Sequence, residues 1–467
     1  MATVEDPETA FPEAHKILKQ FIISDEDLVK IMNGMSKEVK AGLNADTNAR
    51  ASIPCHLSYV QDLPTGRERG RFLALEMWPT NCRIMLVKFG NEKDVYMSSK
   101  AVVIPYTVAA GRGDELFNFL AENIAIFVRD KKVEKENLPM GIAFTFSMKK
   151  LALDVGILVA WSRGFGAENA VGKNVVDLLR VAVAKHKDIA VNIVGIVNDA
   201  VGSLMALAWS YPDCKIGLIV GTFTNAAYVE ETDNCQMFEG DVTKPYMIIN
   251  SDMARYGENA HLDFIRNEFD KALDLETNNP GYRLFEKCVS TLYIGELVRS
   301  VIVRLMRQGV IFKEHNLEYI GIRWKMEMKS LIAIESDPPG VHTKCQEVMD
   351  KFRMRNCLEK DLACVRYICE VITARSAKLV ACGLACFIHK MDYAEISVAV
   401  DGGVYRLHPT YSITLNKEAL KLVNPSNRFK IIVAEDSAGV GAAIVAGLAV
   451  MAKNRSTSKA RETMQVS

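Results

Sequence analysis

The sequence predicts an α/β protein built from an internally repeated unit of strands and helices. Three observations carry this reading. Strand–turn–strand patterns recur far apart, at residues 71–90, 215–230 and 396–407. Helix-compatible stretches fill the chain between them. At 467 residues the chain also exceeds what one hydrophobic core holds, so two domains are expected.

The first element is helical: apolar residues recur at helical spacing between residues 13 and 43, among them Ile17, Phe21, Ile22, Val39 and Leu43. Residues 52–70 read as loop around Pro54, Pro64 and the turn-like Thr65-Gly66. RFLALEMWPTNCRIMLVKFG then sets two apolar runs around a short break, the pattern of a β-hairpin. KIGLIVGTFTNAAYVE repeats that grammar around Gly221-Thr222, and ISVAVDGGVYRL gives it a third time. Helices are expected over residues 171–187, 200–209, 262–275, 283–308, 345–354 and 362–388. The end, FKIIVAEDSAGVGAAIVAGLAV, reads as strand, glycine-containing loop and helix, which sets Gly439 and Gly441 at a helix N-terminus suited to phosphate. Residues 455–467 are polar and read as a loose tail.

Composition narrows the function. Lys+Arg and Asp+Glu balance at 57 each, which removes a global electrostatic argument for nucleic acid or an anionic membrane. The 11 Cys are scattered from Cys55 to Cys386 with no CxxC pair, so neither a zinc site nor a disulfide framework is expected. Cys382 and Cys386, one helical turn apart in an apolar run, read as buried reduced thiols. The N-terminus MATVEDPETAF is acidic and lacks the basic start and apolar core of a secretory signal. No window approaches about 18 uninterrupted apolar residues. The expectation is a cytoplasmic protein with no membrane attachment and no resident metal.

Polar groups at element boundaries are the candidates for chemistry. VGIVNDAVG delivers Asn198 and Asp199 at the end of a β-branched strand, just before a helix. A carboxylate there accepts a proton from a bound hydroxyl if it is hydrogen-bonded and shielded from water. Asp199 taken alone reads more readily as a helix cap. Ser147, Ser162 with Arg163, Asn225, Asp252 and Glu286 stand at similar boundaries, each alone a plausible cap or solvated group. Together they supply the convergent polar groups that a neutral polyol needs.

From about Phe11 to Met451 the chain resembles the hexokinases. The segments that carry the resemblance are LPTGRERGRFLALE, GILVAWSRGF, GIVNDAVGSLMA, PDCKIGLIVGT, NNPGYRLFEK, YIGELVR, VDGGVYRLHP and GVGAAIV. It implies a two-lobed actin-like ATPase (ribonuclease H-like, duplicated) fold with a sugar cleft between the lobes. The lobes implied are 68–198 plus 440–458 (small) and 12–67 plus 199–439 (large), with 459–467 as tail. The implied activity moves the γ-phosphoryl of ATP, presented with Mg2+, to the 6-hydroxyl of a hexose, glucose first, at the entry to glycolysis. Asp199 matches the family's catalytic base, and Ser147, Ser162, Arg163, Asn198, Asn225, Asp252 and Glu286 match sugar-contacting positions. Thr80, Asn81, Arg83, Thr222, Gly402, Gly403, Gly439 and Gly441 fall on the nucleotide-binding loops. Oligomeric state is left open, leaning to monomer.

The departures from the family pattern are concentrated. The first phosphate loop, DLGGTN in the family, reads Glu76-Met77-Trp78-Pro79-Thr80-Asn81 here, so the bulkiest residue and the one residue without an N–H replace two glycines. The family's GTGxNA reads GTFTNA, with Phe223 for glycine. DGS reads Asp401-Gly402-Gly403, and DGSGKGAA reads Asp436-Ser437-Ala438-Gly439-Val440-Gly441-Ala442-Ala443. Asp252 stands for the family's Glu, Ser162-Arg163 for Thr-Lys, and FSFP reads FSMK before a stretch two residues short. Phosphoryl transfer depends on positioned donors, so a hexokinase with impaired turnover is expected. The alternative is a catalytically weak or dead relative that binds hexose as a sensor or interaction protein.

Overall fold

The structure, a computed structural model, describes residues 7–78, 80–90, 94–162, 165–434 and 437–466, with side chains described through Asn454. Pro79, Arg163 and Asp436, which carry expectations above, lie outside the described residues.

The strands are β1 (His56–Leu57), β2 (Gly70–Met77), β3 (Asn81–Phe89), β4 (Val95–Val103), β5 (Leu138–Phe144), β6 (Ser147–Ala152) and β7 (Val155–Ala160), then β8 (Val191–Val197), β9 (Cys214–Val220), β10 (Thr224–Glu231), β11 (Tyr246–Asn250), β12 (Glu395–Asp401) and β13 (Arg428–Val433). The helices that place the site are α1 (Asp25–Leu43), α2 (Asp199–Ser210), α3 (Leu284–Val289), α4 (Thr291–Arg307), α5 (Glu359–Met391), α6 (Gly403–Leu407) and α7 (Ser437–Val466).

Two main sheets form, ordered β4-β3-β2-β5-β8 and β1-β11-β10-β9-β12-β13. In the first, β4, β3 and β2 pair antiparallel and β2, β5 and β8 parallel. In the second, β11, β10 and β9 pair antiparallel and β9, β12 and β13 parallel. The two sheets thus repeat one pattern, a hairpin meander extended by two parallel strands, which is the duplication that the recurring hairpin grammar pointed to. Parallel neighbours require crossover connections, and the helices supply them.

The third predicted hairpin, residues 396–407, is corrected by this topology. Only β12 is a strand; the chain then turns at Gly402 into α6. Because β12 pairs parallel on both sides, its exit must cross over and cannot return as a hairpin. The helix predicted over 283–308 breaks at Ser290, whose backbone is extended (φ −78°, ψ 149°) and whose Oγ donates to the Thr222 carbonyl. Residues 171–187 and 262–275 shorten to helices Val175–Val183 and Glu268–Leu275. The predicted loop 52–70 contains the two-residue β1, added to the edge of β11.

The stretch expected to be a loose tail continues the helical backbone of α7 to Val466. Residues 455–466 contain neither Gly nor Pro, so nothing in that stretch breaks the helix.

Each sheet has its own core. Leu73, Ile84, Leu116, Ile142 and Ile196 belong to the first, and Ile216, Leu218, Tyr228, Phe285 and Phe387 to the second. A third cluster, with Phe72, Met85, Trp209, Ile219, Ala399 and Ala438, joins them where α2 and α7 pack between the sheets. Glycine makes that crossing possible. A Cβ on Gly441 would sit 1.9 Å from the Gly202 carbonyl oxygen, and one on Gly202 would sit 2.6 Å from that of Ala438. α5 and the 437–454 part of α7 are long and apolar enough to cross a membrane, but 83% of the apolar window in α5 and 56% of that in α7 is buried within the protein.

Candidate active site

Four polar residues from three separate segments close a ring of hydrogen bonds at the end of β10. Glu286, at the start of α3, accepts through Oε2 from the Thr224 backbone N–H at 3.2 Å. Asn225 follows, and its Oδ1 accepts from the backbone N–H of Asp252 at 3.1 Å and of Ala226 at 2.9 Å. Asp252 Oδ1 accepts from Arg283 Nη1 at 3.0 Å. Arg283 closes the ring by donating from Nε and Nη2 to Glu286 Oε1 and Oε2, both at 3.1 Å.

The backbone holds these groups in place. Asp252 and Arg283 both have φ 53°, the left-handed region that non-glycine residues adopt only when surroundings compel it. The Arg283 N–H donates to Glu258 Oε1 at 2.9 Å, which anchors that turn. Burial opposes the Arg283 charge, but the Glu286 and Asp252 carboxylates outweigh it and raise its pKa above the ordinary range. Asn225 Nδ2 donates to Asn250 Oδ1 at 2.8 Å. Asn225 and Glu286 are buried, at 8% and 5% exposure.

Asn198 and Asp199 divide their duties. Asn198 is the N-cap of α2, accepting from the Val201 N–H at 3.0 Å, so the capping role weighed for Asp199 belongs to its neighbour. Asp199 is buried, at 7% exposure, and its Oδ1 accepts from the Ala200 N–H at 2.8 Å. α2 lies on β9 and β10: a Cβ on Gly217 of β9 would sit 2.1 Å from the Ala200 carbonyl oxygen. The helix that begins at Asp199 therefore packs on the same sheet whose β10 carries the ring.

Ser147 and Ser162 stand apart from this cluster. Both are exposed, Ser147 at the start of β6 and Ser162 just past β7, with Ser147 paired to Ala160. The β6–β7 hairpin approaches β1, whose His56 Nε2 lies 3.9 Å from Asp252 Oδ2. Behind the hairpin, Lys150 Nζ donates to the carbonyls of Leu153 at 2.7 Å and Ile196 at 2.6 Å. Burial lowers the Lys150 pKa to about 7, with the Asp154 carboxylate opposing part of that shift.

The predicted phosphate loops converge unevenly. Thr222 and Gly402–Gly403 meet because β9 and β12 are parallel neighbours, and Gly402 (φ 146°) fits only because it lacks a Cβ, which would lie 1.8 Å from the Val220 carbonyl oxygen. Thr222 and Gly403 are exposed there, and Phe223 packs on the core between the sheets. Gly439 and Gly441 lie in the first turns of α7, at the helix N-terminus where the sequence reading sets them. Both face neighbours closely: a Cβ on Gly439 would overlap Met85 and come within 3.3 Å of Glu76 Oε2. Ser437 Oγ donates to Ser203 Oγ at 2.8 Å.

In the first loop, Trp78 N–H donates to the Asn81 carbonyl at 2.9 Å, which ties the end of β2 to the start of β3. Thr80 is exposed, and Asn81 opens β3 with its Oδ1 buried. Arg83, expected as a side-chain donor to phosphate, is buried at 7% exposure and bonds Glu76 Oε2 through Nε at 3.1 Å and Nη2 at 2.7 Å. The cause is register, since Glu76 and Arg83 are direct cross-strand partners. The Trp78 ring covers the guanidinium at 5.0 Å.

Two family models, each described as Hexokinase, match residues 13–209 and 215–448. The chain belongs to the hexokinase family. It is 57% identical over 459 residues to Hexokinase type 1 of Drosophila melanogaster, covering 98% of this chain and 99% of that one. It is 34% identical over 438 residues to the hexokinase of Schistosoma mansoni, covering 93% and 97%. Against Hexokinase-1 of Mus musculus the identity is 34% over 446 residues, and the chain spans 45% of that relative's length. A solved structure of the Schistosoma mansoni hexokinase complexed with glucose superposes with a TM-score of 0.88 at 33% identity, covering 95% of this chain and 99% of that one. That likeness gives this hexokinase-family chain the two-lobed actin-like ATPase-type fold of its relatives.

Sequence reasoning missed Arg283, Asn250 and His56. Arg283 stands one helical turn before Glu286, a spacing at which opposite charges meet. Asn250 and His56 carried no local signal; they are brought in by strand pairing alone, His56 opposite Asn250.

Proposed function

We infer that this protein is an ATP-dependent hexokinase, with glucose, the sugar held by the similar Schistosoma mansoni hexokinase, as its substrate. The observation that carries the reading is the hydrogen-bonded ring of Asn225, Asp252, Arg283 and Glu286 on the sheet against which the helix that follows Asn198 and begins at Asp199 packs. Polar groups converging from separate elements are what a polyol site requires.

Asp199 takes the proton of the sugar 6-hydroxyl as that oxygen bonds to the γ-phosphorus and the bond to the ADP oxygen breaks. Its shielding, and the transfer of the capping duty to Asn198, leave it suited to that role. Asn225, Asp252 and Glu286 orient the hydroxyls, with Asn198, Ser147, Ser162 and Arg163 completing the contacts. ATP enters with Mg2+ as a co-substrate and supplies the phosphoryl group. Thr80, Asn81, Thr222, Gly402 and Gly403 line its phosphates, with Gly439 and Gly441 admitting close approach of the helix behind them. Among the described residues no group of three or more His, Cys, Asp or Glu gathers to hold a resident metal.

The lobes proposed are 68–198 with 440–458 and 12–67 with 199–439, supported by a separate sheet and core in each. Turnover is proposed to be lower than an intact phosphate cradle would give, because Arg83 is engaged by Glu76 and Trp78 covers it. The test combines calorimetric glucose binding with glucose 6-phosphate formation from Mg-ATP on one sample. Asp199→Ala should cut product formation by about a hundredfold or more and leave glucose affinity largely in place. No product from the native protein at saturating substrates, or full activity in Asp199→Ala, would overturn the reading.

A further inference from the structure

We propose that Arg283 is a built-in competitor for the sugar-binding carboxylates, setting a weak affinity for hexose and a high KM. The inference rests on the reading above that Asp252 and Glu286 accept sugar hydroxyls.

A carboxylate offers about four acceptor positions, two on each oxygen. On Glu286, Oε2 is filled by Arg283 Nη2 and the Thr224 N–H, and Oε1 already takes Arg283 Nε. Arg283 Nη1 holds Asp252 Oδ1 as well. Three of the five guanidinium N–H groups thus occupy the two acidic side chains that a polyol would use. Hydrogen bonds to charged groups are among the strong ones, so a neutral hydroxyl that must share these oxygens with a cation binds less tightly. An arginine guanidinium stays charged in proteins, and the two carboxylates favour that charge further.

The arrangement also explains why the site tolerates Asp252, a side chain one methylene shorter than Glu. Arg283 reaches across from its left-handed turn, fixed by Glu258, and meets the shortened carboxylate. Two carboxylates facing one cleft repel each other, and the guanidinium between them removes that repulsion. The competing contact is therefore also the one that settles the two carboxylates against each other.

Arg283→Gln keeps a polar side chain of similar reach and removes the charge. Glucose titrated calorimetrically into this variant should bind about tenfold more tightly than into the native protein, the factor expected when one charge-assisted competitor is released. KM for glucose should fall by a similar factor, with kcat the smaller part of the change. Arg283→Lys, which keeps the charge without the fork, should show a gain of a few fold. Circular dichroism confirms that each variant is folded, and if Arg283→Gln is not, the lysine variant decides alone. Unchanged or weaker glucose binding in the folded variants would overturn the proposal and make Arg283 an organiser of the site. Glu286→Ala separates the two levels. If it abolishes glucose binding while Arg283→Gln gives no gain, the inference alone fails; if it binds glucose as the native protein does, both fail.

Discussion

Gly441→Ala tests what the glycines at the start of α7 are for. An added Cβ would sit 1.9 Å from the Gly202 carbonyl oxygen, a backbone atom that cannot rotate away, whereas ordinary contact begins at 3.4 Å. The two helices would have to part by about 1.5 Å at that point. Overpacking of this kind costs about 1–3 kcal/mol. The displaced partner is α2, which begins at Asp199, and a misplacement of about 1 Å at a reacting group costs on the order of a hundredfold in rate. Urea unfolding followed by circular dichroism, run beside steady-state kinetics, reads both effects. The expected result is a lower denaturation midpoint together with a large fall in kcat and a smaller change in the KM for ATP. An unchanged midpoint with a raised KM for ATP would refute the packing account and return Gly441 to the phosphate-binding role predicted from sequence.

Two further outcomes follow from the same geometry. Trp78→Gly combined with Pro79→Gly should raise turnover more than it changes glucose affinity, because backbone donors return to the phosphate path; an unchanged kcat would show that these positions are not limiting. Lys150 titrates near pH 7 when folded and near 10.5 when unfolded, so between these values the unfolded chain binds more protons and stability rises with pH. From pH 7 to pH 8 the native protein should gain about 1 kcal/mol relative to Lys150→Met. Thiols of the unfolded chain begin to ionise toward the top of that window and act in the opposite direction, but equally in both proteins, so the difference between the two curves isolates Lys150. Parallel stability curves for the two proteins would mean that Lys150 is charged in the folded state.

Much of the site was legible in one dimension because its residues stand at element boundaries, where polar side chains interrupt apolar runs. Asn198-Asp199 at the end of VGIV, Asn225 inside GTFTNA and Glu286 in GYRLFEK were visible for that reason, and the structure places Asn225, Asp252 and Glu286 in one hydrogen-bonded group. Ser147 and Ser162 were equally visible, yet they stand on a separate hairpin, since only the path of the chain decides which boundaries meet. Arg83 was visible as a cation, but cross-strand register joined it to Glu76. The glycines of α7 were legible as a helix N-terminus, but sequence does not distinguish a glycine that frees an N–H from one that admits a neighbouring helix.

By itself the sequence determined the α/β class, the first two hairpins, the burial of Cys382 and Cys386 and the family, because alternation, helical periodicity and motif are local properties of the chain. All eleven cysteines are free, and ten of them are buried. Tertiary structure decided that β12 leaves by a helix, that Ser290 splits a helix in two, and that Arg283 stands between two carboxylates. Those outcomes depend on which strands lie parallel and which side chains meet across the fold. Pairing of that kind is set by burial and register over hundreds of residues, and no short stretch of the chain contains it.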